Sequence, residues 1–153
     1  MSKHALADRY LRSAGIAAIE IGADGEIVVR ETVDTEASAG CISIVCLPGD
    51  LDRLAALAQR CRGDQAAVAR QLRQLANDLH IGITPHAVVV DRAFAAADAV
   101  NAEFKRLQDT GGMREINSAF KAARAETPSL RYRDYLDAWR ANTLEAMARQ
   151  LTR

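Results

Sequence analysis

The hydrophobic pattern of this chain changes period once, and that change decides its fold class. Between Ala17 and Leu47 apolar side chains recur at every second position, which is strand spacing. From Asp50 onward they recur every three or four, which is helix spacing. A short helix precedes both: Ser2 stands where a cap belongs, Leu6, Tyr10 and Ala14 share one face, and Gly15 stops it.

Within the strand block, register fixes the first turn. A two-residue Asp24-Gly25 loop sets Ile21 opposite Val28 and mixes the two faces. A three-residue Ala23-Asp24-Gly25 loop sets Ile21 opposite Ile27 and Ile19 opposite Val29, keeping one apolar face. The second arrangement is expected, with Gly25 left-handed. Asp34 to Gly40 is a small polar connection. A third strand, Cys41 to Leu47, is apolar on both faces and is expected to be central or covered on both sides. Pro48-Gly49-Asp50 ends it.

The helical block is punctuated clearly. Asp50 is read as the cap of a helix carrying Leu51, Leu54, Ala58 and Cys61 and closed by Gly63; Asp64 caps the next, with Val68, Leu72, Leu75 and Leu79 in phase. Thr84-Pro85 is read as a cap with proline in the first turn, opening a long helix to about Gln108. Gly111-Gly112 stops it. A helix from about Met113 to Ala125 follows and, after Glu126-Thr127-Pro128-Ser129, another to about Leu151. The expected architecture is α+β: a small N-terminal antiparallel sheet of about three strands packed by helices, with a helix-rich C-terminal half. Residues 1–110 form the α+β core ending in the long helix; residues 111–153 form a helical pair packed on the same core. The long helix spans about 37 Å at 1.5 Å per residue. Alanines lie all round it, so it needs close neighbours, and a homodimer is the expected assembly.

Composition narrows the chemistry. The 153 residues fit one domain, and 49% apolar with 26% charged is a globular profile. Thirty alanines and seven aromatics call for a tightly spaced aliphatic core. The alanine excess, with seventeen arginines to three lysines, points to a GC-rich bacterial genome. No stretch has signal-peptide or membrane-spanning length, so a cytoplasmic location without membrane is expected. Cys41, Cys46 and Cys61 are an odd count without a Cys-x-x-Cys pair, which indicates neither a disulfide framework nor a zinc knuckle. Cys46 stands just before a helix entry, where a thiolate is stabilised, but a core role is the stronger reading. His80 and His86 flank Ile-Gly-Ile-Thr-Pro without metal-ligand spacing. The Leu47-Pro48-Gly49-Asp50-Leu51 turn lacks the glycines and lysine of a nucleotide loop. Neither a Gly-x-Ser-x-Gly elbow nor a His-Glu-x-x-His helix occurs. No enzyme, cofactor or metal is expected.

Charge carries the remaining clue. Twenty basic and twenty acidic side chains cancel overall, yet residues 1–111 hold a net charge of −3 and residues 112–153 one of +3. Between Gly15 and Asp50 the only cation is Arg30. In the last two helices Arg114, Lys121, Arg124, Arg131, Arg133 and Arg140 form a candidate basic surface. Two helices joined by a turn, with arginines opening the second, have the outline of a helix-turn-helix reader. Helix-face pairs oppose that reading: Arg133 with Asp137, Asp137 with Arg140, and Glu145 with Arg149. Tyr132 and Trp139 fall on the apolar stripe, as core residues do. The sharpest expectation is a non-enzymatic binding protein, with nucleic acid held by the C-terminal helix pair. The alternative is a homo-oligomeric assembly module engaging protein alone.

Overall fold

The computed structural model describes residues 1–151, with side chains to position 149. Its elements run α1 (Lys3–Ser13), β1 (Ala17–Ile21), β2 (Ile27–Arg30), β3 (Ile42–Cys46), α2 (Leu51–Arg60), α3 (Gln65–Asp78), β4 (Ile83–Pro85), α4 (His86–Thr110), α5 (Met113–Glu126) and α6 (Tyr132–Leu151). The fold is α+β, with all strand pairs antiparallel in the order β2-β1-β3-β4.

Local chemistry accounts for most of the boundaries. The Ser2 hydroxyl accepts from Ala5 N–H at 3.1 Å and opens α1; the Asp64 carboxylate accepts from Ala67 N–H at 2.9 Å and opens α3. Ile21 lies opposite Ile27 and Ile19 opposite Val29, the register of the three-residue turn, and Gly25 has φ +81°. A β-carbon on Gly25 would also run into the Gly63 carbonyl, so the hairpin tip and the α2–α3 junction touch through bare backbone.

Each face of the sheet meets its own helices. Ile19, Ile21, Ile44 and Cys46 pack on Leu54 and Leu57 of α2 and Val68 and Leu72 of α3. On the other face Ala18 and Val45 meet Leu6 and Tyr10 of α1 and Val89, Ala93 and Ala97 of α4; Leu144 and Ala148 of α6 complete that cluster. β1 and β3 are the two inner strands, and β1 is buried along its whole length. Ala93 and Ala97 are wholly buried, and their small side chains let α1 approach α4 closely. The neighbours that the alanine-rich α4 requires are therefore supplied by α1, the sheet and α6 of the same chain. No helix among the described residues is long and apolar enough to cross a membrane.

Two local expectations are corrected. The sheet has a fourth strand, because Ile83, Thr84 and Pro85 stay extended and pair with Cys46, Val45 and Ile44. Thr84 precedes proline, which disfavours helical backbone, and Pro85 sits at the end of an edge strand, where a missing N–H costs little. The long helix accordingly starts at His86 rather than at Pro85. Asp50 occupies the position before α2 but makes no capping hydrogen bond there. A single 3-10 turn, Pro48–Asp50, leads into α2, and the Asp50 carboxylate faces Arg53 at 3.7 Å instead.

Candidate functional site

Of the six helices, α5 is the least embedded among the described residues: only Ile116 is buried. At 100° per residue, Met113, Ile116, Phe120 and Ala123 share the side that faces the body. Arg114, Lys121 and Arg124 fall within about 80° of one another on one flank, and Glu115 and Glu126 fall together on the other. The three cations are exposed, and among the described residues none forms an ion pair or hydrogen bond. Their Cα atoms span about 15 Å along the helix axis at 1.5 Å per residue.

An aromatic clasp joins α5 to the start of α6. The Phe120 ring lies edge-on to Tyr132 at 5.0 Å and tilted against Tyr135 at 5.5 Å, while Tyr132 Oη donates to Asn117 Oδ1 at 2.6 Å. Tyr132 thus keeps one polar contact and stays 38% exposed. The clasp fixes where α5 lies relative to the body, and with it the direction of the basic flank.

The remaining cations of the predicted set are placed differently. Arg131 is exposed but donates to Asp134 Oδ2 at 3.0 Å, neutralising it at the mouth of α6. Arg133 is exposed one turn from Asp137 and contributes to that carboxylate's environment. Arg140 is turned inward. Its guanidinium stacks 4.3 Å over Phe104, reaches Asp137 at 3.4 Å, and its Nε is buried without a hydrogen-bond partner. Trp139 packs on the same Phe104 ring at 5.8 Å, so Arg140 belongs to the seam between α4 and α6. Hydrogen bonding from the Met1 amine, with Arg140 and Arg133 nearby, holds Asp137 below the usual carboxylate range despite partial desolvation. The structure therefore gathers Arg114, Lys121 and Arg124 on one open flank of α5, pairs Arg131 with Asp134, turns Arg140 inward, and leaves Arg133 exposed on α6.

A second polar cluster lies under the connection 31–41, where the sequence offered no motif. Glu20 on β1 is 5% exposed. Its Oε1 accepts from Arg30 Nε at 2.6 Å and its Oε2 from Ser38 N–H at 3.3 Å. Burial alone would raise its pKa; the Ser38 and Arg30 hydrogen bonds outweigh that and hold it below the ordinary glutamate value. His86 Nε2 donates to the Asp34 carbonyl at 2.8 Å, which ties the start of α4 to the same connection. Together with Ser43 these groups line a cavity of about 240 Å³. Arg30 Nη2 donates to the Ser38 hydroxyl at 3.2 Å, and no imidazole reaches a serine among the described residues. The cluster has the chemistry of a clasp that pins the connection to the sheet, with no paired nucleophile and base. One signal for it stood in the sequence: Glu20 interrupts an apolar strand, and Arg30 is the lone cation of its region.

Cys46 follows the core reading, Cys61 is buried as well, and Cys41 is half-buried. Cys46 is buried, and burial with the nearby Asp50 carboxylate pushes its thiol up to about 11, opposite to the shift a reactive thiolate needs. Burial also raises Cys61, whose thiol donates to the Leu57 carbonyl. No group of His, Cys, Asp and Glu among the described residues is arranged to hold a metal.

No protein-family model, no curated protein and no solved structure matches the chain.

Proposed function

We propose that this chain works by binding, and that its ligand is a polyanion, double-stranded nucleic acid, held along the basic flank of α5. The observation that supports this reading is the set Arg114, Lys121 and Arg124: three exposed cations on one side of the most open helix, with no carboxylate partner among the described residues. Arginine suits phosphate because its planar fork offers parallel donors, and lysine supplies a mobile point charge. The acids of α5 lie on the opposite flank and leave the basic side unopposed. Base stacking has little support, since Phe120, Tyr132 and Tyr135 are spent on the clasp between helices. The recognition supported here is of backbone charge, which positions a protein without reading sequence.

The test is titration of a fluorescent duplex with the protein at low salt, followed by anisotropy. Wild-type protein is expected to bind, and the triple substitution Arg114→Ala, Lys121→Ala, Arg124→Ala to abolish binding. Arg140→Lys, at a residue facing Phe104, is expected to leave duplex affinity unchanged while lowering stability. A triple variant that binds like wild type removes α5 as the interface.

A second reading has its own support. α5 buries one side chain, and its clasp leaves Tyr132 partly exposed, as a helix does when a protein partner covers it. Absence of duplex binding together with a stable complex carrying α5 at its interface favours that alternative.

A further inference from the structure

β2 is an outer strand of the sheet, and no other strand among the described residues pairs with its outer rim. Gly22 N–H donates to the Glu26 carbonyl at 2.8 Å, so Gly22 and Glu26 are a hydrogen-bonded pair in the β1–β2 ladder. Antiparallel pairs alternate between bonded and non-bonded. Glu26, Val28 and Arg30 therefore direct their backbone groups toward β1, while Ile27 and Val29 direct theirs away from the sheet. Among the described residues no donor or acceptor reaches those outward groups. The side chains beside them are also uncovered: Val28 is 39% and Val29 46% exposed. An open rim flanked by exposed valines is a template for another strand.

The sequence of the rim selects the partner. Glu26-Ile27-Val28-Val29-Arg30 carries a carboxylate at one end, apolar residues between, and at the other end a guanidinium whose Nε and Nη2 are held by Glu20 and Ser38 and whose Nη1 is not. Laid antiparallel on itself about Val28, it sets Glu26 against Arg30 at both ends and Ile27 against Val29, with Val28 meeting its own copy. In this register Ile27 and Val29, the residues with free backbone groups, form the hydrogen-bonded pairs. Sliding by one residue misaligns those groups. Sliding by two in either direction sets Glu26 or Arg30 against a valine. Hydrogen-bond parity and apolar pairing select one alignment, and its occupant is a second copy of this chain.

We propose that two copies join through their β2 rims, antiparallel about a two-fold axis at Val28, to make one continuous eight-stranded sheet. The interface is distinct from the α5 flank and stands whether or not that helix binds nucleic acid. Four backbone hydrogen bonds and a few apolar side chains make a small contact, so the dimer is reversible.

Sedimentation equilibrium from micromolar to millimolar chain is expected to show a reversible monomer–dimer equilibrium. Val29→Pro deletes an outward N–H without touching the β1 ladder, and is expected to give a monomer with unchanged circular dichroism. Register is tested by cross-linking in a Cys41→Ser background. Val28 and its copy form a non-bonded antiparallel pair, whose Cα separation of about 4.5 Å admits a disulfide. Val28→Cys is expected to give a disulfide-linked dimer on mild oxidation. The more exposed Val29→Cys, facing Ile27 of the other copy, is expected to remain largely unlinked. A monomer at every concentration, a dimer that survives Val29→Pro, or equal cross-linking at both positions overturns the proposal.

Discussion

At the scale of single residues, Glu20 shows how a buried charge is kept. Its carboxylate is almost wholly out of water, and Ser38 and Arg30 hold its pKa below the ordinary glutamate value of 4.5. A depressed folded pKa means that this contribution is present above pH 4.5 and is lost as pH falls through the lower folded value. Urea unfolding across that acidic range is expected to show Glu20→Gln losing stability less steeply with falling pH than wild type. At neutral pH the same substitution is expected to cost about 1–3 kcal/mol, because the Arg30 and Ser38 donors lose a charged acceptor. His80 holds the opposite kind of opportunity. It follows α3 with φ +55°, while its N–H reaches the Asn77 carbonyl at 3.1 Å and Ile81 N–H reaches Ala76 at 2.9 Å. This is the left-handed helix stop that glycine fills best. His80→Gly is expected to raise stability by about 1 kcal/mol, read from the denaturation midpoint, by relieving the left-handed strain. The Glu20 feature was partly written in the sequence. The matched register of β1 and β2 sets Glu20 and Arg30 as diagonal neighbours on one face, but their pairing needs the 31–41 connection folded over them, and no local pattern encodes that.

At the scale of elements, boundaries with a polar cap or a glycine stop were legible from sequence. Ser2, Asp64 and Gly111 behave as their side chains and backbones dictate. β4 was not legible, because three residues are too few to show a period and Thr-Pro imitates a helix start. Its extended state comes from hydrogen bonds offered by β3, a tertiary cause. The burial of elements also differs widely. β1 is buried throughout and α5 contributes one buried side chain, so local opening is expected to be graded the same way. Amide hydrogen exchange is expected to be fastest across α5 and slowest across β1 and the neighbouring turns of α1. Leu72, wholly buried where α3 meets the sheet, is expected to cost about 2–5 kcal/mol on truncation to alanine. Ile116→Ala is expected to cost less, since the region around it is open enough to relax.

At the scale of the whole molecule, the acidic front and basic tail do not simply cancel. Arg9 of α1 joins Glu145 of α6 at 2.9 Å and Lys3 joins Asp98 of α4 at 2.9 Å, so part of the charge closes the fold on itself. Arg140 is drawn into the α4–α6 seam and Arg131 is matched by Asp134. Charge counting along the chain located the basic region but could not separate these roles, because which face of a helix meets water is fixed by packing. What remains open is the flank of Arg114, Lys121 and Arg124. The most direct test of that flank as a phosphate-binding surface is the salt dependence of duplex affinity. Three phosphate contacts predict a slope of log K against log salt of about −3 per chain, collapsing toward zero when the three side chains are replaced by alanine. A slope near zero for the wild-type protein, or one unchanged by the triple substitution, would contradict the account.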